Sequence, residues 1–87
     1  MKVKNILKQM YFVKFGARTG QFLIFIDFDK DKKLYSILGV PESEVLYISE
    51  NDIERAITYK VLDYVETLPT SVFDDCKREF KYRENGK

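Results

Sequence analysis

The apolar positions follow two regimes along the 87-residue chain. Up to about residue 48 they form short runs divided by Gly, Pro or Asp/Lys clusters. Beyond it they recur every three or four residues. Short apolar runs bounded by turn residues predict strands, and the longer spacing predicts helices.

The run from Phe22 to Ile26 is apolar at every position. A strand with one wet face would alternate, so this run predicts a central strand over residues 21–28, buried on both faces. Residues 11–15, aromatic or β-branched except for Lys14, predict a strand before it. Between them lies Gly-Ala-Arg-Thr-Gly at 16–20, a turn whose two glycines can take positive φ. The polar stretch 29–33 predicts a hairpin loop, and residues 34–38 the returning strand. Gly39 and Pro41 punctuate again. Residues 44–48 suit a fourth short strand, with a small helix opened by Pro41 as the competitor. At the N-terminus Val3, Ile6, Leu7 and Met10 have helical spacing over little more than two turns. They predict a short N-terminal helix, or a strand running into the next segment.

Ser49 is a candidate helix N-cap, with Asp52 three residues on and Glu50 and Glu54 in the first turn. Ile53, Ile57, Val61, Tyr64, Val65 and Leu68 then share one face at 100° per residue, which predicts a long helix over residues 50–68. Pro69 ends it. Thr70 or Ser71 can cap a last helix, with Asp74 as the acidic third residue, on which Val72, Cys76 and Phe80 form an apolar stripe flanked by Phe73. The order of strands before helices predicts an α+β fold. It is a single domain over residues 1–87: a three- or four-stranded antiparallel sheet, then two C-terminal helices packed on it, with the tail fraying from about residue 84.

Composition narrows the chemistry. There is no His and one Cys, so the commonest neutral-pH base is absent and an internal disulfide cannot form. A four-ligand zinc site lacks soft ligands. No 18-residue apolar run exists, which predicts no membrane helix. Lys2, Lys4 and Lys8 open the chain without a following apolar stretch and cleavage site, so no secretory signal is expected and the default location is the cytoplasm. Eleven Lys against four Arg, with two Ala, is the bias of an AT-rich coding sequence, as in low-GC bacteria and their mobile elements.

The formal net charge of +1 conceals a pattern. Residues 1–26 carry +5, residues 27–33 are neutral, residues 34–68 carry −5 and residues 69–87 carry +1. If segments map to faces, the molecule has a basic end and an acidic helix.

Four local features bear on function. In the glycine-bracketed loop, backbone amides beside Lys14 and Arg18 could hold a phosphate, with Tyr11, Phe12 and Phe15 near enough to stack on unpaired bases. The competing role is an ordinary hairpin turn. Asp27, Asp29 and Asp31 alternate like the start of a calcium loop, but Lys32 and Leu38 stand where that loop needs Gly and Glu. Cys76 lies on the apolar stripe, as a small core residue would. On the long helix, Tyr59 and Leu62 fall opposite Ile53 and Ile57, beside Arg55 and Glu66. They form a candidate partner or dimer patch, unless the final helix covers them.

The expectation is therefore a non-enzymatic interaction protein without cofactor or metal, such as an accessory or inhibitory factor of a mobile element. It would bind an unidentified protein partner through the helical layer or a sheet edge, with Arg55, Tyr59, Leu62 and Glu66 as the favoured residues, or a second copy as a homodimer through edge strands or the Tyr59/Leu62 patch. The alternative is a nucleic-acid-binding module using Lys2, Lys4, Lys8, Lys14 and Arg18. No membrane partner is expected.

Overall fold

A computed structural model describes residues 6–86. They form four strands, a helix, a fifth strand and a second helix, in that order. The strands are β1 (Gln9–Val13), β2 (Phe22–Asp29), β3 (Leu34–Val40), β4 (Glu44–Ser49) and β5 (Leu62–Thr67); the helices are α1 (Glu50–Thr58) and α2 (Thr70–Asn85). The strands form one sheet in the order β4-β3-β2-β1-β5, with every neighbouring pair antiparallel. The α+β class is as expected. The sheet has five strands, not three or four.

β2 holds the centre because it has no polar side to turn to water. Leu23 and Phe25 point to one face and Ile24 and Ile26 to the other, and all four are buried. Each face therefore needs a cover. α1 covers the first through Ile53, over Tyr11, Phe25, Tyr35 and Ile37. α2 covers the second through Phe73 and Phe80, over Ile24, Ile26 and Leu38. The two helices lie on opposite faces of the sheet.

The turns place four residues in left-handed backbone. Gly16 and Gly20 have φ of 98° and 95° between β1 and β2. A Cβ at either would meet nothing within 4 Å, so backbone conformation and not space selects glycine there. Lys33 closes the β2–β3 loop and Ser43 the β3–β4 turn, both at positive φ, and the Val40–Pro41 peptide is cis.

Three expectations need correction. The first concerns the N-terminus. Residues 2–5 of the expected short helix lie outside the described residues. Gln9 and Met10 belong to β1, so the first strand starts earlier than residue 11 and leaves Phe15 in the loop.

The second and largest concerns residues 50–68, which are not one helix. α1 begins as expected: the Ser49 hydroxyl accepts from the Asp52 N–H at 3.1 Å. It ends after Thr58. Lys60 takes φ 63° and donates its N–H to the Ile57 carbonyl, while Val61 donates to the Ala56 carbonyl at 2.8 Å. This pair of bonds is a Schellman stop, usually built on glycine. A lysine there gives no warning in the sequence. The next segment, Val-Leu-Asp-Tyr-Val-Glu-Thr over 61–67, is rich in β-branched and aromatic residues and pairs with β1. Since Lys60 is exposed and strained towards αL, Lys60→Gly should raise stability by about 0.5–1 kcal/mol. Urea denaturation followed by circular dichroism measures it. A loss of stability would mean that the stop does not require the left-handed conformation.

The third concerns α2. Pro69 starts it, accepting from the Phe73 N–H at 2.9 Å, and no side chain caps it. The helix continues through Glu84 and Asn85, past the expected fraying point. Its buried stripe is Phe73, Cys76 and Phe80, and Val72 is exposed. The spacing 73, 76, 80 is as helical as 72, 76, 80, and the rotation buries a phenylalanine in place of a valine.

Candidate functional site

The four residues expected to meet a partner do not form one patch. Leu62 is buried beneath α1. Tyr59 is 71% exposed at the C-cap of α1. Arg55 stays near it, around a shallow depression with Asn51, Glu54 and Thr58. Glu66 lies apart from them on β5. The i, i+3 relation of Tyr59 and Leu62 was a property of a helix that stops between them.

The basic residues are distributed differently again. Lys2 and Lys4 lie outside the described residues. Lys8 donates to the Thr70 hydroxyl at 3.2 Å and lies over the Phe73 ring. Lys14 sits 3.4 Å from the Asp63 carboxylate, and Arg18 sits 2.7 Å from Glu44. At these two points the basic first segment meets the acidic middle one, so the segments do not become two separate faces. Turn bonds occupy the amides at the end of the glycine loop: Thr19 donates to Gly16, Gly20 to Val13 and Gln21 to Arg18. Of the aromatics beside it, Tyr11 is buried and Phe12 packs on Phe22 with ring centroids 5.1 Å apart. Phe15 is 59% exposed.

The aspartates at the end of β2 bond nearby backbone amides. Asp29 accepts from the N–H groups of Asp31 and Lys32, and Asp27 from that of Phe28. Cys76 is half-buried against the sheet. Burial, with Asp75 second, pushes its thiol up, away from the thiolate form a nucleophile needs.

Two surfaces remain. One is a hollow of about 210 Å³ on the α1 face, between α1 and the 16–20 loop. Its walls are apolar, among them Val13, Leu23, Ile53, Ala56 and Val61, with Phe15, Arg18 and Asp52 at its margin. It exists because α1 has nine residues and cannot cover one whole face of a five-stranded sheet.

The other is the outer edge of β5, which pairs with no strand among the described residues. Every open sheet has two edge strands with one unpaired row of N–H and C=O groups. The two edges differ here. Along β4 only Tyr47 is exposed, and its hydroxyl bonds Glu84 of α2 while its ring meets Phe80. On β5 five consecutive residues, Asp63 to Thr67, are exposed. The sequence hides β5 because its apolar residues also continue the helical period of α1. Its own signal was the grouping of Val61, Tyr64, Val65 and Thr67, residue types that favour strands.

Comparison with protein-family models, with curated proteins and with solved structures finds no match to this chain. No helix among the described residues is long and apolar enough to cross a membrane.

Proposed function

We propose that the protein is a non-enzymatic interaction module that receives an extended segment of another protein along β5, as a sixth strand. The observation that supports this is the run of five exposed residues on an edge unpaired among the described residues, opposite a β4 edge that α2 partly closes. Strand addition draws affinity from main-chain hydrogen bonds and specificity from alternate side chains. β5 already supplies both: a row of backbone groups unpaired among the described residues, and Tyr64 and Val65 exposed on a strand held in place by Leu62 at its buried end.

The test compares capture of a native-host partner by immobilised wild type, Val65→Lys and Tyr82→Lys, each after nuclease treatment. Val65 is on the edge, while Tyr82 is on α2 and 71% exposed. Both substitutions add one charge at a wet position, so the fold should survive in each. A partner retained by wild type and Tyr82→Lys, but lost by Val65→Lys, is expected. Equal retention by Val65→Lys, or recovery abolished by nuclease, overturns the proposal.

A further inference from the structure

The register of β5 sorts its side chains by charge, and this bears on what the edge can accept. Tyr11 pairs with Tyr64 and Met10 with Glu66, so the register shifts by one residue between them. Without that shift, Asp63 and Glu66, three apart, would point to opposite faces. With it they share one. Asp63 pairs with Phe12 and Glu66 with Met10, and Met10 packs into the core beneath α2. Lys14, 3.4 Å from Asp63, follows Val13 of the other face and lies on the same side as the two acids. The α1 side of the strand carries Tyr64, edge-on to the Tyr11 ring at 5.8 Å, and Thr67, whose hydroxyl is 2.8 Å from that of Tyr64. The exposed edge is thus acidic on one side and aromatic and hydroxylic on the other.

We infer that the segment received by β5 is a basic strand, with Lys or Arg alternating with apolar residues. This rests on the proposed edge pairing and adds the chemistry of the partner. Cross-strand neighbours of opposite charge attract, and like charges repel. Glu66 has no ion pair among the described residues, while Asp63 has only Lys14, with both side chains about half exposed. A basic strand meets both carboxylates on the α2 side and sets its apolar residues beside Tyr64. A second copy of this chain fits worse. Antiparallel β5–β5 pairing across a two-fold axis would place both copies' Asp63 and Glu66 on one side of the continuous sheet. Edge charge of this kind rejects self-association while admitting a partner of the opposite sign.

Three blocked heptapeptides test this, alternating Val with Lys, with Ser or with Glu, titrated into the ¹⁵N-labelled protein at low salt. The Lys peptide should shift the amide resonances of residues 63–67, bind at least tenfold more tightly than the Ser peptide, and weaken as salt rises. Glu66→Lys should reduce the Lys peptide's advantage at least tenfold, and Glu66→Gln should reduce it less. Glu66 is exposed, so both variants should keep the wild-type spectrum elsewhere. If all three peptides shift residues 63–67 with equal affinity, the edge pairing stands and the charge preference is overturned. If none shifts them, the edge pairing falls as well. Concentration-dependent dimerisation with protection of the same amides would replace the basic strand by a second copy.

Discussion

Phe25→Ala should lower the unfolding free energy by about 3–5 kcal/mol, the usual range for emptying a fully buried phenylalanine site. Phe25 is 0% exposed on the central strand. Its ring meets Tyr11 at 5.5 Å and Tyr35 at 5.4 Å, both edge-on, so one substitution removes the middle of a three-ring stack. The backbone of β2 is held by β1 on one side and β3 on the other, which restricts collapse around the void. At about 0.05–0.15 kcal/mol per residue, the total stability of an 87-residue domain is of the same order as this loss or only a few times larger. Urea denaturation should show a large fall in midpoint. A loss below about 1.5 kcal/mol would mean that neighbouring side chains refill the space, contrary to the close packing expected of a core.

Tyr35→Phe should have the opposite sign. Tyr35 is 0% exposed, and its hydroxyl has no hydrogen-bond partner among the described residues. A buried, unsatisfied polar group costs about 1–3 kcal/mol, so removing the oxygen while keeping the ring should recover up to that amount. The ring contacts with Phe25 and Phe28 remain. The same hydroxyl makes stability depend on alkaline pH. Burial first, then Glu50 and Glu54, raises its pKa above the ordinary tyrosine value of 10. Above pH 10 the unfolded chain therefore releases this proton while the folded one keeps it. The stabilisation is complete below the unfolded pKa and is lost as pH rises beyond it towards the folded value. Tyr35→Phe should accordingly flatten the fall in stability above pH 10. Tyr11 still contributes, since burial and then Tyr64 raise its pKa too. Denaturation midpoints of both proteins between pH 8 and 11 measure the difference. Parallel curves would show that Tyr35 ionises as freely in the folded protein as in the unfolded one.

The sheet core was legible because its signal is local. A run with no polar face, from Phe22 to Ile26, can sit only where both sides are covered. The Ser49 cap was legible for the same reason, since the bond to the Asp52 amide spans one turn. The end of α1 was not. The apolar residues after it fit a 3.6-residue period as well as they fit a strand, and the usual glycine marker is replaced by Lys60. One missed stop turned a strand into helix and gave Tyr59 and Leu62 a shared face that they do not have.

The sequence by itself determined the class of the fold, the central strand, the start of the first helix and the lack of histidine. All of these follow from residue type and short-range spacing. Only the tertiary structure decided which edge of the sheet stays open. It also decided that Lys14 and Arg18 meet carboxylates and that Asp63 and Glu66 share a side. These depend on pairings between residues far apart in the chain, and on a one-residue shift in register. No local pattern encodes either, because side-chain direction in a strand is set by the partner strand it hydrogen-bonds.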